Sequence, residues 1–87
     1  MTASRRMYLK AIYYLSGGGA TRPAEIAAVL GVSRPSVSKA LMKLAQQGLL
    51  MHEPYGDVRL TPAGRKAAQA LAAADERLRL GSMLVAL

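Results

Sequence analysis

A mainly α fold with one small β-hairpin is expected from three observations. Two stretches with apolar residues at helical spacing, 23–30 and 34–47, are separated only by Gly31, Val32 and Ser33. Two short apolar runs, 49–53 and 58–60, follow at once and flank Pro54-Tyr55-Gly56-Asp57, which is turn chemistry with proline suited to the second turn position and glycine to the fourth. Helical patterns over 3–16 and 62–80 then frame these elements on either side. Helix, helix, tight turn, helix, hairpin, helix is the order of a winged helix-turn-helix.

Each element has its own local reason. In the first helix, Tyr8, Leu9, Ile12, Leu15 and Ser16 share a face, Met7, Lys10, Ala11 and Tyr14 lie on the other side, and Gly17-Gly18-Gly19 ends the run. The second begins at Pro23, whose missing N–H is harmless in a first turn, and buries Ile26, Ala27, Val29 and Leu30 before Gly31 stops it. The third restarts at Ser33-Arg34-Pro35. Pro35 suits a first helical position and pushes Arg34 towards a cap conformation, although Ser33 can cap instead. Val37, Ala40, Leu41 and Leu44 form its core stripe. Val58-Arg59-Leu60 alternates as a half-buried returning strand, so the hairpin is the wing.

Thr61-Pro62 opens the last helix as cap and first residue, Ala67, Leu71, Ala74 and Leu78 give it a narrow stripe, and Gly81 is expected to stop it near Leu80. Residues 1–80 thus make one domain. Residues 81–87 form an apolar C-terminal segment, expected either to pack on a second copy or to begin a segment beyond Leu87.

Composition narrows the function. Twelve Lys plus Arg against five Asp plus Glu give a net charge of +7, which favours nucleic acid or another polyanion as partner. Without cysteine there is no disulfide, no thiolate zinc site and no thiol nucleophile. Five carboxylates and one histidine leave little for catalysis, and adjacent Asp75 and Glu76 would point about 100° apart on a helix, so an enzyme is not expected. No stretch has the length of a membrane span, and a cytoplasmic protein is the natural reading.

The third helix carries no acid at all. The side opposite its core stripe presents Pro35, Ser38, Lys39, Met42 and Gln46, flanked by Ser36 and Lys43, and its N-terminal dipole adds positive charge. That is the face of a recognition helix. Lys39 is placed to donate to guanine O6 or N7, Ser36 and Ser38 to reach phosphates, and Pro35 or Met42 to touch a thymine methyl; Met42 is equally an ordinary exposed flank residue. Arg22, Arg34 and Lys43 are candidate phosphate contacts and Arg59 a wing contact. Each alone is also an ordinary solvated charge, and their weight is collective, through steep salt dependence.

The segments MYLKAIYYL, IAAVLGVSRPSVSKALMKLAQQGLL and PYGDVRLTPAGRKAA resemble the N-terminal DNA-binding domain of the diphtheria toxin repressor family of iron- and manganese-dependent regulators, over residues 4 to about 80. The resemblance implies that Ser33, Pro35, Ser36, Ser38 and Lys39 stand where the family approaches bases and phosphates. It also implies metal ligands, and there the pattern breaks. Met7 matches a methionine ligand of iron-type members, but Lys10 stands where manganese-type members place a carboxylate, and Asp75 and Arg79 fall where a histidine and a glutamate are expected. Cations at ligand positions repel a divalent ion, and one thioether cannot hold it, so no metal or other cofactor is expected in this chain. His52, without ligand-spaced partners, is read as a surface or half-buried imidazole.

The expected function is sequence-specific double-stranded DNA binding as a transcriptional regulator, a repressor, with a homodimer setting the helix 34–47 of each copy into the major groove of a palindromic operator. A protein–protein adaptor that does not bind specific DNA is the competing expectation, with the apolar end as its docking surface.

Overall fold

Local capping chemistry sets most of the boundaries. The computed structural model describes residues 4–17, 19–53 and 56–86, with side chains of the last helix described through Ala74. Helix α1 is Arg5–Ser16, opened by Ser4, whose Oγ accepts the Met7 N–H at 3.3 Å, and closed by Gly17 at φ 53°. Helix α2, Pro23–Leu30, ends where Gly31 takes the left-handed conformation and returns its N–H to the Ala27 carbonyl. Helix α3 is Arg34–Gln46.

Strands β1, Leu50–His52, and β2, Val58–Leu60, pair antiparallel with Leu50 opposite Leu60, Met51 opposite Arg59 and His52 opposite Val58. The connecting turn closes with the Gly56 N–H donating to the Glu53 carbonyl at 3.0 Å, which puts glycine in the fourth position; Pro54 and Tyr55 lie outside the described residues. Helix α4, Pro62–Ala86, completes the chain.

The core forms where these elements converge. Ile12 from α1, Ile26 from α2, Val37, Leu41 and Leu44 from α3 and Val58 from β2 are fully buried, and each such side chain contributes about 1.5–3 kcal/mol. No single element buries its face alone. The core therefore fixes the angle at which α3 stands against α1 and α2.

Two fastenings escape a residue-by-residue reading of the sequence. Thr21, between α1 and α2, exchanges backbone hydrogen bonds with Val58 at 2.9 and 2.8 Å, adding a third, one-residue rung to the hairpin. Its buried hydroxyl donates to Glu25 Oε2 at 2.7 Å. At the other edge, Thr61 Oγ1 donates to the Gly48 carbonyl at 2.6 Å and accepts the Gly64 N–H at 3.1 Å. Gly64 itself lies against the Leu49 carbonyl so closely that a Cβ there would overlap it. The wing is thus tied to the start of α2 on one side and to α4 on the other.

Several expectations are corrected. Helix α4 does not stop at Gly81 but runs to Ala86. A glycine costs only about 1 kcal/mol inside a helix and ends one only when it adopts a cap conformation. Of the two caps left open for α3, Ser33 is the one used, and Arg34 is the first helical residue as the range 34–47 has it. Ser33 caps by accepting the Ser36 N–H at 3.3 Å, and that bond outweighs the pre-proline bias. Helix α1 starts at Arg5, not 3, Gln47 is the C-cap of α3, and the first strand is 50–52 within the expected 49–53.

The buried stripe of α4 is Gly64 and Ala68, with Ala67 and Leu71 half-buried, whereas Ala74 is exposed and the side chain of Leu78 lies outside the described residues. Ala11 is buried because α1 packs against α4 as well as α2, and Val29 is 59% exposed on the outer side of α2. Of the two placements left open for His52, the structure takes the exposed one, on β1.

Candidate nucleic-acid interface

Helix α3 projects one whole side to solvent. Ser33, Arg34, Pro35, Ser38, Lys39, Met42, Lys43 and Gln46 are exposed, and Ser36 is half-buried at the edge. The burial of Val37, Leu41 and Leu44 on the inner side rotates the helix so that Lys39 and Ser38 must face outwards. A period of 3.6 residues leaves no other arrangement once the core stripe is set.

The hydroxyls at the start of α3 have divided tasks. Ser33 Oγ accepts the Ser36 N–H and lies 2.9 Å from Ser36 Oγ, to which it donates. Its own hydrogen-bonding capacity is spent largely on the cap. The Ser36 O–H remains able to donate outwards, as does that of Ser38.

Of the nine sequence-derived candidates, Ser33 caps α3 and Arg34, Pro35, Ser36, Ser38, Lys39 and Lys43 lie along it, while Arg22, the N-cap of α2, and Arg59, on β2, sit apart, each facing an acid of the wing. The two groups differ in electrostatic state. Arg22 Nε lies 3.7 Å from Asp57 Oδ1 and Arg59 Nε lies 3.8 Å from Glu53 Oε1. Among the described residues, Arg34, Lys39 and Lys43 enter no ion pair. Both pairs are partly exposed, and such pairs are worth about 0–1 kcal/mol, so they offset the charge of Arg22 and Arg59 only in part.

Sequence reasoning missed a groove of about 400 Å³ between the first turns of α1 and the outer flank of α3, lined by Arg5, Tyr8, Ser36, Lys39, Lys43 and Gln47 over an apolar floor of Ala40 and Leu44. The basic pair Arg5-Arg6 was the available signal, but nothing local says that α1 brings Arg5 beside Lys39. Burial pushes the Tyr8 phenol above its ordinary value, so it stays neutral at physiological pH.

An exposed, acid-free α3 following α2 across a tight turn, beside a hairpin, defines this as a winged helix-turn-helix of the DNA-binding class. The family comparison is specific. The iron dependent repressor N-terminal DNA-binding domain matches residues 1–58, and the chain belongs to that family. It is 47% identical over 51 residues to the transcriptional regulator MntR of Salmonella typhimurium, covering 59% of this chain and 32% of that protein. To the HTH-type transcriptional regulator MntR of Geobacillus kaustophilus it is 38% identical over 78 residues, covering 88% of this chain and 55% of the relative.

Among solved structures, a Pseudomonas aeruginosa PA01 protein assigned as a transcriptional regulator superimposes with a TM-score of 0.80 at 26% identity, over 95% of this chain and 58% of that one. This chain thus spans from about a third to somewhat over half of the relatives it matches. The matching proteins are regulators of transcription, not enzymes.

The family description implies an iron ion, and the described residues do not fit one. Among them, no three histidines or carboxylates converge. Met7 is 45% exposed on α1, and a lone thioether is a poor ligand for a divalent iron that prefers imidazole and carboxylate. Asp75 and Arg79, at positions the resemblance associates with ligands, have side chains outside the described residues.

Proposed function

We propose that this chain is a sequence-specific double-stranded DNA-binding domain of a transcriptional regulator, acting as a repressor in the cytoplasm. The single observation that supports it best is the outer side of α3, where exposed Lys39, Ser38 and Lys43 stand together with half-buried Ser36 and no acid. Lys39 reads guanine in the major groove, Ser36 and Ser38 anchor the flanking phosphates, and Arg34 and Lys43 extend the backbone contact. Pro35 and Ser33 hold the helix start close to the duplex, while Arg22 and Arg59 follow the backbone from the wing. Among the described residues no helix is long and apolar enough to cross a membrane.

Residues 1–80 serve as the DNA-binding unit. The apolar stretch 81–87 serves as a dimerisation element, carried outwards on the continuous α4, whose 25 residues span about 37 Å. A twofold pair places two α3 helices one helical turn apart on a palindrome. Selection of bound duplexes from a random pool, with and without Fe²⁺ or Mn²⁺, tests this directly. A palindromic consensus recovered equally in both conditions is expected. Recovery of unselected sequence, or no retention of duplex at low salt, would remove the reading and leave the adaptor role.

A further inference from the structure

The groove between α1 and α3 holds three cations from two elements and no acid. Arg5 comes from the first turn of α1, Lys39 and Lys43 from α3, and none of the three takes part in an ion pair among the described residues. Ser36 and Gln47 add hydrogen-bonding groups to the same walls, and Ala40 and Leu44 make the floor. The volume, about 400 Å³, is far larger than a water site needs. It opens directly beside the face of α3 assigned to the bases.

We propose that this groove seats the sugar–phosphate backbone of the strand bordering the major groove that α3 enters, with Arg5 as a phosphate-binding residue of the interface. The inference rests on the DNA-binding reading and deepens it, because it makes α1 a direct participant instead of a support. Three converging cations with no counter-ion favour a polyanion threaded past them. The apolar floor suits the deoxyribose between successive phosphates. Arg5 is matched to this task by its planar fork, which grips two phosphate oxygens where a lysine holds one. A turn of uncompensated N–H groups at the start of α1, only partly capped by Ser4, adds charge of the same sign.

Arg6 supplies the internal control. It is exposed on the same helix but does not line the groove, and its side chain is rotated about 100° from Arg5. Fluorescence anisotropy of a labelled random 30-mer duplex, titrated with the full chain across 50–300 mM KCl, reads both affinity and salt slope. Arg5→Ala is expected to weaken binding several-fold at 100 mM salt and to lower the magnitude of the slope by about one unit, whereas Arg6→Ala leaves the slope within error.

Both side chains are exposed, so melting temperatures should match the parent, and a loss of affinity is not a loss of fold. Parent-like affinity and slope for Arg5→Ala, with the parent still binding, would overturn the clamp alone. Equal losses for Arg5→Ala and Arg6→Ala would show diffuse charge and overturn it as well. Absence of binding by the parent would strike the DNA-binding reading itself. Competition with millimolar inorganic phosphate separates the remaining possibility: displacement of duplex from the parent well beyond the ionic-strength effect would identify a small-anion site and count against a backbone groove.

Discussion

The flank of α3 and the wing carry the same kinds of cation in opposite electrostatic states. Lys39 and Lys43 stand beside Arg5 without an acid, whereas Arg22 and Arg59 each face a wing carboxylate within 4 Å, at 3.7 and 3.8 Å. The rigidity also differs in kind. Helix α3 is held by side-chain burial of Val37, Leu41 and Leu44 alone, while the wing adds to its buried Leu50, Val58 and Leu60 the backbone hydrogen bonds to Thr21 and Thr61 and the close approach of Gly64. Affinity on the α3 side should therefore come from bare charge on a fixed rod. The wing contributes a contact already discounted by its own acids.

The comparison breaks most visibly at Gly64. Adding a methyl there drives Cβ into the Leu49 carbonyl, a backbone atom that cannot swing away, so Gly64→Ala should cost about 3 kcal/mol and lower the melting temperature by roughly 10–20 °C. An unchanged melt would mean that α4 does not lock the wing as described. On the α3 side, Lys39→Ala should leave stability alone yet cost about 2 kcal/mol on a selected operator and relax its specificity. Equal losses on operator and random duplex would take Lys39 out of base readout.

Ser33→Ala removes the α3 cap and should cost about 1 kcal/mol of stability, measured by urea titration, while Ser33→Asp, which can still cap, should largely retain stability. Lys43→Ala should weaken all sequences alike and flatten the salt slope by about one unit. The smallest change has the opposite sign. Asp57→Asn releases Arg22 and should tighten random-duplex binding by about 0.2–1 kcal/mol, an effect that fades at high salt. If it does not tighten binding at low salt, Arg22 is not restrained by Asp57.

Much of this was legible locally because local chemistry decides it. Pro23 and Gly31 bracket α2, and the 3.6-residue repeat of Val37, Leu41 and Leu44 orients α3 and hence its acid-free side. The hairpin was legible from alternation and turn residues. What failed needed partners distant in the chain. The alanine-rich α4 offers several stripes of nearly equal apolarity, and only the fit of Gly64 and Ala68 against the body chooses among them. Thr21 pairs through its backbone, which leaves no side-chain pattern to find. Gly81 carries no local mark that separates a helix end from a helix interior, and α4 passes through it.

By itself, the sequence determined the order of helices and hairpin, the cationic side of α3 and the family. Those follow from periodicity, capping and charge, all of which act within a few residues. The tertiary structure alone decided that Arg5 joins Lys39 and Lys43 around one groove, that Arg22 and Arg59 are paired with acids, and that Gly64 clamps the wing. Those depend on which surfaces meet when the shared core closes, and no neighbouring residue records that.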